Sequence, residues 1–489
     1  MSAAVQARPA DAPGLAARRW GALAVVSLAQ LVIALDATIV NIALPAAQGM
    51  LALSDADRQW VITAYGLAFG GLVLLGGRIA DMAGRRRTFL VGLLGFAAAS
   101  ALGGAATSLG MLVGARALQG AFGALLAPTA LSLLAVTFVD ARERARAFAV
   151  YGAIAGSGAA VGLLLGGALT QYLGWRWCLY VNVPIALVAA AGGRLVLPEP
   201  RSAGEQRLDL LGAALAGGGL VALVSACSRA VTSGWTAGLV LGLLAASAAL
   251  LGSFVLLESR IAHPLLPLRL LADRDRAGAC LSVALAVAGL LGLFLFLTYD
   301  LQVVLRWSPV AAGLGFLPLS ASVMLSSQVL TGRLLPRVPP RALVVPGLLV
   351  GAAAMLLLSR TTADASYVSR ALPAEVLLGL GMGCVFVPAF GLATRGVPPG
   401  EAGVAAALVT AAQQVGGSVG TALLNTIAAG ATAADLAAQG PGAGSEALVQ
   451  GFSAAAVWGA GILTVAAALA SILVRARRAA PPDRQGGSS

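Results

Sequence analysis

The stretch Gly77-Arg78-Ile79-Ala80-Asp81-Met82-Ala83-Gly84-Arg85-Arg86-Arg87 separates two long apolar runs, residues 59–77 and 89–107. Guanidinium and carboxylate groups resist burial in hydrocarbon, where each costs roughly 2.5–3.5 kcal/mol on insertion scales. The runs on either side carry no such burden. A basic link between two apolar runs is what a chain leaves at a bilayer surface when it crosses, turns and crosses back. Gly77 and Gly84 read as the sharp turns of this link. Asp81 reads as an acceptor for an Arg or a helix N-terminus, and the Arg cluster as a hold on anionic lipid.

The same alternation continues in both directions. Fourteen mostly apolar segments lie at 20–42, 59–77, 89–107, 110–134, 147–169, 177–197, 208–228, 236–257, 278–299, 309–331, 342–359, 371–394, 402–428 and 452–474. Each is near the ~20 residues that span a bilayer. Of 489 residues, 59% are hydrophobic and 11% charged, with a mean hydropathy of +0.89. A soluble globular chain carries about 25% charged residues. This chain has too little polar surface to face water and reads as an all-α integral membrane protein. Links such as Thr107-Ser108-Leu109 and Ser233-Gly234-Trp235 are too short to hold a soluble domain. Arg8, Arg18 and Arg19 precede a first run of about 23 residues, longer than a signal-peptide core. That run reads as a retained first helix.

The net charge of +12 does not imply nucleic acid, because the basic residues are all Arg and fall in small groups between apolar runs. An even number of spans puts both termini on one side, read as cytoplasmic. Then 25 of the 32 Arg fall on that side, six on the other (Arg58, Arg176, Arg229, Arg306, Arg360, Arg370), and Arg116 lies inside a helix. Arg resists placement outside, so the asymmetry sets the orientation and supports the even count. Cys178, Cys227, Cys280 and Cys384 stand singly, without metal or disulfide spacing. His263, beside Pro264, reads as an ordinary loop residue. No GxxxxGK[ST], HExxH or GxSxG occurs. The chain therefore reads as no enzyme, with no cofactor and an ion gradient as its energy source.

Gly77-Arg78-Ile79-Ala80-Asp81 is echoed by Gly332-Arg333-Leu334-Leu335-Pro336, each after an apolar helix. Two similar bundles would produce such an echo; chance in Ala/Gly-rich sequence is the alternative. Asp36 lies in the outer half of the first run, within Leu35-Asp36-Ala37-Thr38-Ile39-Val40-Asn41. A carboxylate there is a candidate proton carrier; structural pairing with Thr38 or Asn41 is the alternative. Arg116 must face a cavity or a carboxylate, because a guanidinium does not shed its proton. Gly158, Gly162 and Gly166, four apart, with Gly167 adjacent, set a glycine stripe on one helix face. Asn41, Gln119, Gln302, Gln413 and Gln414 are amides within the spans. Glu375 and Asp300 fall near outer helix ends; Glu375 reads as a rim residue solvated by water, with a second acidic site as the alternative.

These residues resemble known signatures. Gly77–Arg87 is similar to G-x-L-a-D-r-x-G-r-R, the loop signature of the major facilitator superfamily, and the resemblance covers nearly the whole chain. Leu35–Asn41 resembles the first-helix signature of its 14-helix drug/proton antiporter branch, the EmrB/QacA type. Trp175-Arg176-Trp177 with Asn182 and Pro184 resembles that branch's helix 6, and Arg116-Ala117-Leu118-Gln119-Gly120 resembles R-x-x-q-G. The glycine stripe resembles the helix-5 antiporter signature G-x-x-x-G-P-x-x-G-G, with Leu163 where Pro usually stands.

The resemblance implies a major facilitator fold. Its parts would be a six-helix bundle at 20–200, two inserted helices with their loops at 201–276, a second six-helix bundle at 277–474, and tails at 1–19 and 475–489. It implies proton coupling at Asp36, tuned by Arg116. It implies a latch between bundles at Gly77, Arg78, Asp81, Gly84, Arg85 and Arg86, for which a plain topology anchor is the alternative. It implies an export motif at Gly158, Gly162, Gly166 and Gly167, for which close packing is the alternative. Asn41, Gln119, Gln302, Gln413 and Gln414 are the implied substrate contacts. The implied activity is efflux of amphipathic small molecules, drugs or antibiotics, in exchange for protons by alternating access. The implied setting is a lipid-surrounded monomer in the inner (plasma) membrane, without nucleic acid. A dedicated exporter of one endogenous metabolite and a proton symporter are rivals. A membrane enzyme would need a His, Asp or Cys cluster at one face, and a sensor a soluble domain; the sequence offers neither.

Overall fold

Ser54, Ser108, Asp209, Asp273 and Ser308 each stand one residue before a helix, and each side-chain oxygen accepts a backbone N–H from its first turn. A cap of this kind is worth about 1 kcal/mol. The computed structural model describes residues 13–138, 140–197, 209–261, 264, 266–335, 337–360, 366–395, 397, 402–439 and 444–475, and among these the regular structure is entirely helical. His263 and the side chain of Asp81 lie outside the described residues.

The first half holds α1 (Pro13–Leu51), α2 (Asp55–Ala83), α3 (Arg85–Gly104), α4 (Leu109–Thr137), α5 (Ala141–Tyr172), α6 (Trp177–Tyr180) and α7 (Asn182–Val196). Next come α8 (Leu210–Ser233), α9 (Gly238–Glu258) and the short α10 (Leu268–Ala272). The second half holds α11 (Arg274–Tyr299), a π-helical stretch (Asp300–Val304), α12 (Pro309–Gly315), α13 (Leu317–Leu325), a second π-helical stretch (Ser326–Thr331) and α14 (Gly332–Leu334). It ends with α15 (Arg341–Leu358), α16 (Tyr367–Arg370), α17 (Leu372–Thr394), α18 (Ala402–Gln439) and α19 (Gly444–Leu473). A helix, straight or broken, stands at each of the fourteen apolar segments. Ten spans among the described residues are long and apolar enough to cross a membrane on their own.

Two breaks follow from proline. α6 and α7 part at Val181, and Pro184 lies in the first turn of α7, where its missing N–H needs no partner. α12 and α13 part at Phe316, with Pro318 in the first turn of α13.

The charged stretch between the second and third runs is not a loop. α2 continues through Gly77, Arg78 and Asp81 to Ala83, and α3 begins at Arg85, so Arg85 and Arg86 belong to its first turn. The whole reversal falls on Gly84, at φ +93° and ψ 130°, outside the left-handed helical well and open to glycine, where an L-residue costs roughly 1–3 kcal/mol. Gly77 turns nothing; it lies inside α2, where a β-carbon would meet Pro128 of α4 at an ordinary contact distance of 3.6 Å. Charge density marks where the chain reaches the surface, but a helix can carry long Arg side chains past the hydrocarbon.

Two large apolar cores fill the first half. One gathers Phe69, Phe89, Phe96 and Phe138, the other Leu35, Ile39, Leu112 and Leu179. The second half has its own core around Phe294, Phe316, Leu348, Met382 and Leu463, and two first-half residues, Ile42 and Leu163, enter it. The halves meet along three lines: α2 with α18, α5 with α12 and α13, and α1 with α11 and α12. α8 lies against both α2 and α18, while α9 packs on α8. Gly71 of α2 and Gly217 of α8 touch backbone to backbone: a β-carbon on Gly217 would stand 3.2 Å from Gly71 O.

One end of the molecule holds the first turns of α1, α5 and α11 and the last turn of α19. There Arg19 pairs with Glu143 at 3.3 Å, Arg274 donates to Ile472 O at 2.9 Å, and Arg86 donates to Arg194 O at 2.5 Å. This is called the terminal end below, and the opposite end the far end. At the far end the halves are tied across α1 and the α11 terminus. Tyr299 Oη donates to Gln48 Oε1 at 2.8 Å, and Arg58 stacks 4.0 Å from the Tyr299 ring centroid. Gln302 Nε2 reaches Ile42 O at 3.4 Å.

Candidate functional site

Asp36 lies near the middle of the span Arg18–Leu51, just past its midpoint toward the far end. Its side chain is 0% exposed. Five helices converge on it. Arg116 and Gln119 are three apart on α4, which puts both on one face. Arg116 Nη1 donates to Asp36 Oδ2 at 2.6 Å, and Gln119 Nε2 donates to Oδ1 at 2.9 Å. Asn182, the first residue of α7, donates through Nδ2 to the same Oδ1 at 2.9 Å. The break at Val181 and the turn before Pro184 point that side chain inward. α3 contributes Ser100, whose Oγ accepts from Gln119 Nε2 at 2.8 Å. α2 contributes Val61 O, which accepts from Arg116 Nε at 3.2 Å, and the Tyr65 ring, whose centroid lies 4.5 Å from the Arg116 guanidinium carbon.

The bonds fit an ionised carboxylate. Asp36 receives three donors, and Gln119 Oε1 takes a further Arg116 N–H at 3.0 Å. A buried ion pair is stable only when its remaining lone pairs and protons are satisfied, and here most are. Two polar atoms beside the pair have no partner: Asn182 Oδ1 and Tyr65 Oη. Asn182 Oδ1 is therefore an acceptor held in reserve one bond from Asp36.

Thr38 and Asn41 do not pair with Asp36. Thr38 Oγ1 lies 3.2 Å from both Ala34 O and Leu35 O, and Asn41 Nδ2 lies 3.5 Å from Ala37 O; each turns back on its own helix. The amides expected at a substrate site separate. Gln119 is fully enclosed, with its amide committed to Asp36, Ser100 and Arg116. Gln302 bridges to α1 at the far end. Gln414 packs its β-carbon 3.0 Å from the β-position of Gly70, on the α2–α18 line, while Gln413 is half-buried beside it.

The glycines of α5 divide between two neighbours. Added β-carbons at Gly158, Gly162 and Gly166 would meet Ala34, Thr38 and Ile39 of α1. One at Gly167 would meet Pro309 O of α12 at 2.5 Å, so the stripe packs within the first half and its last residue faces the second. Leu163 is buried, and its carbonyl lies 2.6 Å from the β-position of Gly313.

Glu375 is not at a solvated rim. It is 0% exposed, beside Tyr367. Tyr367 of α16 and the first turn of α13, not water, cover the first turn of α17. Asp300 is likewise buried.

Ser100, Val61 and Tyr65 gave no signal in the sequence, because a Ser among Ala and Gly or a carbonyl in an apolar run looks like packing. Asn182 was visible only as part of a signature.

A relative from Streptomyces alboniger, a puromycin resistance protein, is 52% identical over 99% of this chain and 97% of its own length. A cephamycin export protein from Amycolatopsis lactamdurans is 38% identical over 84% of this chain and 85% of its own. Among solved structures, a bacterial homologue of the human lysosomal transporter Spinster, inward-facing and unoccupied, matches with a TM-score of 0.67 at 17% identity, over 97% of this chain and 100% of that one. A family model described as Major Facilitator Superfamily matches residues 26–421. With that match over most of its length and the fold to go with it, the chain is a multi-pass membrane protein that belongs to the Major Facilitator Superfamily.

Proposed function

We propose that this protein exports amphipathic small molecules of the antibiotic class in exchange for protons. The observation that carries the reading is the buried Asp36–Arg116 pair with Gln119 and Asn182 around it. A carboxylate at mid-membrane is costly to keep, and one whose only charge partner is a permanent cation changes the local charge balance when it takes a proton. Protonation of Asp36 leaves Arg116 without its counter-charge. Rotation of the Asn182 amide then offers Oδ1 to the new carboxyl O–H. α1, α4 and α7 are thereby held differently in the two states, which is the coupling an antiporter needs.

The reading takes residues 20–200 and 277–474 as two bundles that rock about a central cleft, with 201–276 an inserted pair and 1–19 and 475–489 as tails. Asn41, Gln302, Gln413 and Gln414 line the path, and Gln119 serves Asp36. The Arg distribution supports a terminal end in the cytoplasm and a far end outside the plasma membrane. Protons supply the energy, no resident cofactor is needed, and a monomer suffices. The named activities of the resistance and export relatives support the substrate class. A nearly full-length puromycin resistance relative favours a second reading, export of one antibiotic rather than many.

The test is the purified chain in proteoliposomes with an imposed pH gradient, acid on the far side. Labelled puromycin and a panel of lipophilic cations should be concentrated against their gradients, and collapse of the pH gradient should stop it. Equal movement with and without the gradient would sink proton coupling.

A further inference from the structure

Tyr367 lies beneath α12 and touches both of its ends. Its ring centroid is 5.0 Å from that of Trp307, just before the helix, and its Oη is 2.6 Å from Gly315 O, the last carbonyl of α12. The same Oη is 3.3 Å from Glu375 Oε2. A phenol has one hydrogen, so it can serve Gly315 O or the Glu375 carboxyl, not both. The shorter distance puts the hydrogen on Gly315 O. The contact to Glu375 then requires Glu375 to be the donor, which it can be only as a carboxylic acid.

The surroundings agree with a neutral group. Glu375 is enclosed, and its Oε1 has no hydrogen-bond partner. One neighbour pulls the other way: the backbone N–H of Leu319, in the first turn of α13, also reaches Glu375 and would favour its charged form. Among elements packed on α17, α13 and the second π-helical stretch carry no ionisable side chain, and α15 carries only Arg341, at its opposite end. α11 brings Arg276, which donates to Ala393 O at the opposite end of α17, and Tyr299, already bonded to Gln48 across the seam; α18 brings Asp435 in its last turns. The Arg370 side chain on α16 and Asp364 lie outside the described residues. Asp36 has a guanidinium; among the described residues no charged side chain acts on Glu375. An uncompensated charge at such a place costs several kcal/mol or more.

We propose that Glu375 is a second proton-binding site, and that its proton holds α12 on α5 by directing the Tyr367 hydrogen to Gly315 O. The chain runs Glu375 O–H to Tyr367 Oη, and Tyr367 O–H to Gly315 O. When the proton leaves to water, the carboxylate takes the Tyr367 hydrogen, Gly315 O loses its partner, and α12 is freed. α12 is the element that Gly167 and Leu163 of α5 receive at the far-end seam. A proton on Glu375 thus keeps that seam shut. The role in a cycle rests on the transport reading; the site itself does not.

The experiment uses the full chain in bilayers and two readouts. Infrared spectra at neutral pH should show a carboxylic-acid carbonyl band that is missing from Glu375→Gln and shifted in Tyr367→Phe. Alkylation of Val310→Cys, which faces Gly167, is then followed against pH in the parent and Glu375→Gln backgrounds. Raising the pH should speed the reaction about tenfold more in the parent, the worth of one hydrogen bond, because the Gln amide still donates to Tyr367 and cannot titrate. Identical infrared spectra of parent and Glu375→Gln would overturn the site. Equal pH dependence of alkylation in both would overturn its hold on α12. A parent that passes both tests but moves no substrate in proteoliposomes sinks the transport reading and leaves this site standing.

Discussion

Asn182 donates to Asp36 at 2.9 Å while its own carbonyl oxygen, equally buried, has no partner. An amide so placed can answer either protonation state of the carboxyl by rotating half a turn. Asn182→Leu keeps the volume and loses both functions. Transport driven by a pH gradient should fall about tenfold, the worth of one buried hydrogen bond, while equilibrium binding of substrate without a gradient is unchanged. The comparison is initial rates against binding isotherms for the same preparations; a loss confined to binding would assign Asn182 to the substrate.

Asp36→Asn keeps the shape and the hydrogen-bonding capacity but cannot titrate. It should abolish concentrative export and substrate-driven proton movement, with facilitated exchange of substrate surviving. Proteoliposomes under an imposed pH gradient give the answer. If the variant concentrates substrate as well as the parent, Asp36 is structural.

Arg116→Ala leaves the Asp36 carboxylate buried without its cation. Breaking such a pair costs about 3–5 kcal/mol, so the variant should unfold at a clearly lower temperature in detergent. The double variant Asp36→Asn with Arg116→Gln removes both charges and should recover most of that loss while remaining inactive. No recovery would mean that the pair is not the unit of stability.

Gly84→Ala forces an L-residue to φ +93° and ψ 130°, at roughly 1–3 kcal/mol, and should lower yield and thermal stability without moving the spans. Asp81→Asn should insert normally and transport poorly. Full transport by Asp81→Asn reduces this corner to a topology anchor.

Orientation is checked by impermeant thiol reagents on whole cells. Ser445→Cys, at the start of α19, should be labelled. Thr88 is buried and would escape from either side, whereas Arg87 is exposed, so Arg87→Cys is the inner control and should stay unlabelled. Equal labelling would reverse or dissolve the assignment.

Much of the fold was legible because a bilayer imposes length on apolar runs and sorts Arg to one side. The helix at each apolar segment, and the meeting of Asp36 with Arg116, follow from that logic: a charge inside a span must find its opposite. What stayed hidden is what a one-dimensional pattern does not carry. Ser100 and Val61 O act through position alone. Gly77 looked like a turn because charges follow it, yet α2 runs on through them. Glu375 looked solvated because it is near a helix end, yet α12, α13 and Tyr367 fold over it. Gln119 looked like a ligand contact until its donors and acceptor were each accounted for by neighbours.

Gly71 and Gly217 leave no side chains between α2 and α8 at the point where the two backbones touch, although Leu75 of α2 shares a core with Ala213 and Ala216 of α8 further along. Ordinary helix pairs interlock, and shifting one past the other means lifting every ridge out of its groove. Two bare backbones have nothing to unmesh. The contact behaves as a plain bearing: α2 can glide or tilt along α8 with few rotamer changes and little friction. On the transport reading, α8 and α9 would therefore stay seated on the first half through a rotation of the halves, covering the α2–α18 line as a sliding seal does, rather than detaching and docking anew at every turn.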